Sequence, residues 1–180
     1  MKKVLAKLIF FIGCLFYDKK YLYGKHFTQK YSGFYWIVKG IWFQKFLGFN
    51  RKIPWPINSN IVISDYKNLI FHSDDLNNFQ TFGCYFQNIS SKIYLCKGVF
   101  IAPNVGIITS NHDYKNLNKH LIGKNVVIGS NSWIGMNSVI LPGVKLGSNT
   151  IVGAGSIVTK SFRQGNIVIA GNPAKIIKEI

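Results

Sequence analysis

Residues 126–161 read VVIGSN, SWIGMN, SVILPG, VKLGSN, TIVGAG and SIVTKS, a repeat of period six with no break in register. The central aliphatic of each block is Ile128, Ile134, Ile140, Leu146, Val152 and Val158. Two positions earlier stand Val126, Ser132, Ser138, Val144, Thr150 and Ser156, which are small or β-branched and suit a short extended segment. Three positions later stand Asn131, Asn137, Gly143, Asn149, Gly155 and Ser161. Gly and Asn tolerate positive φ, so this column marks a recurring corner. A short strand and a corner every six residues describe a parallel coil. Stacked coils pair strand to strand about 4.8 Å apart and bury one continuous aliphatic core. A helix is excluded, because period six does not match 3.6 and the recurring Gly and Asn would be costly.

The same columns extend towards the N-terminus, with Ile89, Leu95, Ile101 and Ile107 expected to point inward and Gly98, Asn104 and Ser110 at corners. Ile107 and Ile128 are 21 residues apart, so a segment is inserted between them, from about Thr109 to Asn125: TSNHDYKNLNKHLIGKN. It is polar and holds two of the four histidines, His112 and His120. Loops projecting from a rigid scaffold commonly carry function.

The chain of 180 residues allows one domain with an extension, and 48% hydrophobic residues are enough for a real core. Its formal charge of +16 favours anionic partners. Cys14, Cys84 and Cys96 match no zinc spacing and read as free thiols. The basic and aromatic residues are unevenly spread. Residues 1–52 hold eleven of the 22 Lys and Arg, 15 of the 27 aromatics and one acid, Asp18. Pro54-Trp55-Pro56 marks the boundary, since two prolines so close resist a continuing helix. The expected organisation is a helical, basic, aromatic extension over 1–56, a coil domain over 57–161 with the inserted loop at about 109–125, and a tail over 162–180 ending in a short helix. Two readings of the extension are open. It lies on an anionic membrane surface, or its helices pack on the main domain or a neighbouring subunit. No run of apolar residues is long enough for a clean transmembrane helix, and no small-residue cleavage site follows the first apolar stretch.

Together IGSN, WIGMN, ILPGVKLGSN, IVGAGSIVTK and the closing AGNPAKIIK resemble the hexapeptide-repeat acyltransferases. Within these, IAPNVGIITSNHD is similar to the sugar O-acetyltransferases of the galactoside, maltose and nodulation type and their surface-polysaccharide relatives. The resemblance covers Phe86 to Ile180. It implies a mainly β fold, a left-handed parallel β-helix of triangular section, and a homotrimer with active sites between subunits. It implies acetyl-CoA as acyl donor, a sugar hydroxyl as acceptor, free or lipid-linked, and no metal. By the same resemblance His112 is the general base. Asp113 beside it either orients the imidazole or caps a turn. Asn88 corresponds to an acceptor-binding asparagine, and Asp74 and Asp75 are candidates for sugar hydroxyls. Trp133, Met136, Ala154, Thr159, Lys160, Lys175 and Lys178 match donor contacts, the two last sharing a face if the tail is helical. His120 reads as a surface residue. The expected setting is cytoplasmic, peripheral at the inner face of a membrane, with a role in surface polysaccharide biosynthesis. Two alternatives remain: N-acetylation of a nucleotide-linked amino sugar, and a non-catalytic membrane-surface protein. Nucleic acid is not expected, since no nucleic-acid motif accompanies the charge.

Overall fold

The computed structural model describes residues 2–180. Three α-helices open the chain: α1 (Lys2–Phe16), α2 (Lys25–Thr28) and α3 (Ser32–Gly40), the last running on into a π-helical turn, Ile41–Phe46. The strands follow in chain order: β1 (Val62–Ile63), β2 (Leu69–Ile70), β3 (Tyr85–Gln87), β4 (Ile93–Leu95), β5 (Phe100–Ile101), β6 (Gly106–Ile108), β7 (His112–Asp113), β8 (Asn116–His120), β9 (Val126–Ile128), β10 (Trp133–Ile134), β11 (Val139–Ile140), β12 (Lys145–Leu146), β13 (Thr150–Val152), β14 (Ile157–Val158), β15 (Ile167–Gly171) and β16 (Ala174–Glu179).

The strands form the three faces of a parallel β-helix. Face A is β1-β3-β6-β11-β14, face B is β2-β4-β9-β12, and face C is β5-β10-β13-β15 with β16 added at its edge. Register follows the repeat. Ile134 lies on Val152, Ile140 on Val158 and Ile128 on Leu146, each one coil of three blocks further on. The central aliphatics therefore stack into a single core, with Ile107, Ile128, Ile134, Ile140 and Val158 fully buried. Serines and threonines of the earlier column are buried too and satisfied locally. Thr150 Oγ1 donates to the Gly147 carbonyl at 2.7 Å, and Thr150 N–H donates to Ser132 Oγ at 3.1 Å. The corner column has the conformation its residues favour: Asn104, Asn131, Asn137 and Asn149 have φ of 57–59°, and Gly98, Gly143 and Gly155 have φ of 70–83°. Between corners the coils approach closely. A Cβ on Gly135 would stand 2.6 Å from the Val152 carbonyl oxygen and the Ala154 nitrogen of the next coil.

Two expectations need correction. Ile89 does not point inward; it is 60% exposed. Phe86 takes the inward place and pairs with Ile107, because the corner before Leu95 is three residues longer than the repeat, with bends at Ile89, Ser90 and Ser91, and breaks the six-residue register there. The C-terminal segment is not a helix. Residues 167–171 complete the last coil, and β16 folds back antiparallel on β15. Gly171, at φ 105°, and Pro173 turn the chain there, and β16 then takes its backbone hydrogen bonds from the open edge of face C. Its residues satisfy that edge in place of forming a helical turn.

The extension is tied to the first coils on one side. Gln44 is buried: its Oε1 accepts from the Tyr17 hydroxyl and Ile57 N–H, and its Nε2 donates to the carbonyls of Asn50, Ile53 and Trp55. His26 is buried against Ser32 Oγ, the Asp74 carbonyl and Asn77 Oδ1. Gly13 admits Ile37 of α3 against the α1 backbone. The outer side of α1 is unpartnered among the described residues: Val4, Leu5, Leu8, Phe11, Ile12, Leu15 and Phe16 are all exposed. No helix among the described residues is long and apolar enough to cross a membrane.

Candidate active site

The A–B edge of the β-helix, where face A turns into face B, carries the inserted loop. Its root is gripped by Gln87, a buried side chain at the end of β3. Gln87 Oε1 accepts from the backbone N–H groups of Thr109 and Ser110, both at 3.1 Å, and its Nε2 donates to the Ser110 carbonyl at 3.1 Å. Lys124 N–H donates to the Thr109 carbonyl at 2.8 Å and closes the loop on itself. Between these ties β7 and β8 form an antiparallel ribbon that pairs His112 with His120.

His112 is exposed, and its Nδ1 stands 2.7 Å from the Leu117 carbonyl oxygen. A carbonyl oxygen only accepts, so Nδ1 carries the proton of that bond. In the neutral ring Nε2 then holds the free lone pair, the arrangement a general base requires. The His120 ring lies 4.2 Å from that of His112, centroid to centroid, tilted by 36°. The two histidines thus form a close, tilted pair, a relation the sequence reading gave to neither.

Asp113 does not orient His112. Its Oδ1 accepts from Lys115 N–H at 2.9 Å and caps the turn between β7 and β8, while a backbone carbonyl fixes the imidazole. Asn88 is likewise committed: fully buried, it accepts from Asp65 N–H at 3.0 Å and donates to the Asp65 carbonyl at 2.7 Å. Its amide joins two successive A–B corners and, fully buried, presents no surface to an acceptor within one chain.

Asp74 and Asp75 sit on another edge, where face B turns into face C. Asp74 accepts from Lys25 N–H at 2.8 Å, with Lys97 Nζ at 3.2 Å, and these donors hold its carboxyl below the usual range. Asp75 is buried; burial pushes its pKa up, although Gly98 N–H donates to it at 2.8 Å. Lys25, Lys97, Ser130 and Asn131 complete a cleft of about 350 Å³ around the pair. One chain does not bring this cleft to His112.

The remaining residues fall on two lines. Thr159 and Lys160 follow β14 on the A–B edge, so they share the edge of the His112 loop. Met136 and Ala154 occupy successive C–A corners, where Gly155 N–H donates to the Met136 carbonyl at 2.8 Å. Trp133 lies in an outward row on face C, level with Phe100 and Ile151, and Val168 extends that row. Lys175 pairs with Ala170 and Lys178 with Val168. A bulge between those pairs puts both lysines on one face of the strand, although residues three apart on a regular strand point opposite ways.

Residues 122–160 match the family model described as bacterial transferase hexapeptide (six repeats). These coils are similar to bacterial transferase hexapeptide repeats. They build the left-handed parallel β-helix of that repeat. A Dictyostelium discoideum protein provisionally named an acetyltransferase is 48% identical over 107 residues, 58% of this chain and 55% of its own length. A Saccharomyces cerevisiae protein with the same provisional name is 43% identical over 94 residues, 50% and 47% of the two chains. The chain thus spans about half the length of the curated relatives it matches. Among solved structures, a maltose O-acetyltransferase from Clostridium difficile superposes with a TM-score of 0.50 at 37% identity, covering 67% of this chain and 59% of that one. A hexapeptide-repeat acetyltransferase from Vibrio cholerae gives 0.51 at 25% identity, covering 70% and 65%.

Gln87 is the site residue the sequence reading missed. Nothing in its local context marks it, because its partners lie more than twenty residues away. Only the coil geometry sets it under the loop root.

Proposed function

We propose that this protein is an acetyl-CoA-dependent O-acetyltransferase acting on a sugar hydroxyl. The observation that carries the reading is His112, with Nδ1–H fixed on the Leu117 carbonyl and Nε2 free, on a loop clamped to hexapeptide repeats. Their likeness to named acetyltransferases, including a maltose O-acetyltransferase, supports the chemistry. In this mechanism Nε2 takes the proton of the acceptor hydroxyl as its oxygen attacks the thioester carbon. The carbon–sulfur bond then breaks, and the imidazolium returns the proton to the departing thiolate. A base of this kind contributes on the order of 10²–10⁴ in rate. The donor lies along the β-helix, with Lys160, Lys175 and Lys178 neutralising its phosphates and Trp133, Met136, Ala154 and Thr159 along its length.

The outward apolar rows support assembly as a homotrimer: Phe100 and Trp133 on face C, and Val62 and Tyr85 on face A, are all exposed. The bare outer side of α1 and the basic extension support a place at the inner face of an anionic membrane, where a glycan intermediate of surface polysaccharide synthesis would be met.

The test is thiol release from acetyl-CoA with a panel of free, nucleotide-linked and lipid-linked saccharides, wild type beside His112→Ala. Acceptor-dependent release that falls at least a hundredfold in the variant is expected. Unchanged release in the variant overturns the role of His112. Absence of both release and coenzyme A binding overturns the transferase reading.

A further inference from the structure

Below the His112 loop on the same A–B edge, a cleft of about 750 Å³ opens between the chain following the π-helical turn and the first coil. Gly48, Arg51 and Lys52 line one side, and Asp65, Tyr66 and Lys67 the other. Three cations thus face one carboxylate. That carboxylate is already engaged, since Asp65 Oδ1 accepts from Lys67 N–H at 2.9 Å and Oδ2 from Asn68 Nδ2 at 3.4 Å. Arg51 is positioned rather than free to wander. One guanidinium nitrogen, Nη2, donates to the Phe46 carbonyl at 3.2 Å, which leaves the rest of its planar fork for a ligand. Gly48, at φ +94°, turns the chain beside that guanidinium, and a Cβ there would stand 3.6 Å from Nη2.

The cleft is aligned with the candidate active site by hydrogen bonds. Asp65 is bonded both ways to the Asn88 amide, and the neighbouring Gln87 grips Thr109 and Ser110, two residues before His112. These are three successive corners of one edge. At the spacing of paired strands, the Asp65 corner and the loop root are about 10 Å apart. A phosphoryl group, a sugar ring and the reach of the side chains bridge that separation.

We propose that this cleft binds a phosphate or pyrophosphate ester on the acceptor, so that the substrate is a phosphorylated sugar or glycan. Arg51, Lys52 and Lys67 hold the anion, and the sugar extends along the edge towards His112. The placing of the sugar rests on the acyl-transfer reading; the anion site stands on the cleft itself. The pyrophosphate could be borne by a polyprenyl lipid or by a nucleotide. Phe46 and Phe49, exposed on the same turn, favour the lipid.

The test has two arms. In the first, binding of inorganic pyrophosphate to the full chain is measured by calorimetry with coenzyme A present, so that any donor phosphate site is filled. Wild type is expected to bind in a salt-dependent way, and Arg51→Ala with Lys67→Ala to weaken binding at least tenfold with an unchanged circular dichroism spectrum. No binding by wild type, or equal binding by the variant, overturns the anion site. In the second, transfer is compared for a free hexose, a hexose 1-phosphate, a nucleotide diphosphate sugar and a polyprenyl-pyrophosphoryl sugar. The variant is expected to raise KM at least tenfold for the phosphorylated acceptors and to leave the free hexose unchanged; the lower KM of the last two identifies the carrier. Equal KM for free and phosphorylated acceptors overturns the proposal and leaves the transferase reading standing. Pyrophosphate binding without transfer to any acceptor does the reverse.

Discussion

Gln87→Met tests the link between the β-helix and the loop that carries His112. Methionine matches glutamine in length and fills the same space, so the change removes hydrogen bonds without opening a cavity. Thr109 N–H keeps a second acceptor, the Gln87 backbone carbonyl at 2.9 Å. Ser110 loses both its partners, the Oε1 that accepts from its N–H and the Nε2 that donates to its carbonyl. Ser110 is only 6% exposed, so water does not readily replace them. A buried polar group left unsatisfied costs about 1–3 kcal/mol, and two such groups give about 2–6 kcal/mol. Urea unfolding should register a loss in that range. Because His112 stands two residues beyond the clamp, kcat for acetyl transfer should fall about 10–100-fold, as expected for a misplacement near 1 Å. KM for acetyl-CoA should be unchanged, since no proposed donor contact is touched. A stability loss below about 1 kcal/mol would refute the accounting of hydrogen bonds. Full stability loss with unchanged kcat would show that the β7–β8 ribbon and the Lys124 tie hold His112 without the clamp.

Ile140→Ala, on the next-to-last strand of face A, should cost about 2–5 kcal/mol in urea unfolding, the range for truncating a fully buried isoleucine. Asn137→Val should cost about 1–2 kcal/mol because φ there is 59°, while Asn137→Gly should lie close to wild type; thermal melts of the pair read the difference. Burial holds the His26 pKa below its usual value, outweighing the hydrogen bonds that its ring donates to Asn77 and the Asp74 carbonyl, which favour the charged ring. Stability is therefore lost as pH falls below about 6.5, where the unfolded chain takes a proton that the folded chain resists, and levels off below the folded-state pKa. The raised pKa of Asp75 acts in the opposite sense, so the check is the difference in Tm between wild type and His26→Gln across pH 7.5 to 5, which should shrink on acidification. Phe11→Glu with Leu15→Glu should abolish sedimentation with anionic vesicles without lowering Tm, since both side chains are exposed; sedimentation equal to wild type would sink the membrane contact.

The period of six was legible because each column answers to a local rule. An aliphatic points inward, a small or β-branched residue precedes it, and Asn or Gly takes positive φ at the corner. Those rules act within six residues, so the sequence by itself determined the coil, the corners Asn104, Asn131, Asn137 and Asn149, and the place where a loop interrupts them. Where a local rule was stretched it misled. Ile89 matched the period counted back from Leu95, but it lies in a corner three residues longer than the repeat, and Phe86 takes the inward place. The AKIIKE segment could have closed a helical turn, but the open edge of face C offered it a full row of backbone partners.

The tertiary structure decided what depends on partners distant in the chain. Asn88 and Asp113 are polar residues beside the right motif, yet one spends its amide on Asp65 and the other its carboxylate on a turn. Gln87 has no local signature and becomes the clamp of the loop because stacking brings residues 87 and 109–110 onto one edge. The same stacking puts Lys67 on the edge that carries the His112 loop, with Arg51 across a cleft from it, residues that composition alone counted only as part of a charge of +16. A coil is written in residue types that repeat. A site is written in which residues share an edge, and only closing the coils fixes that.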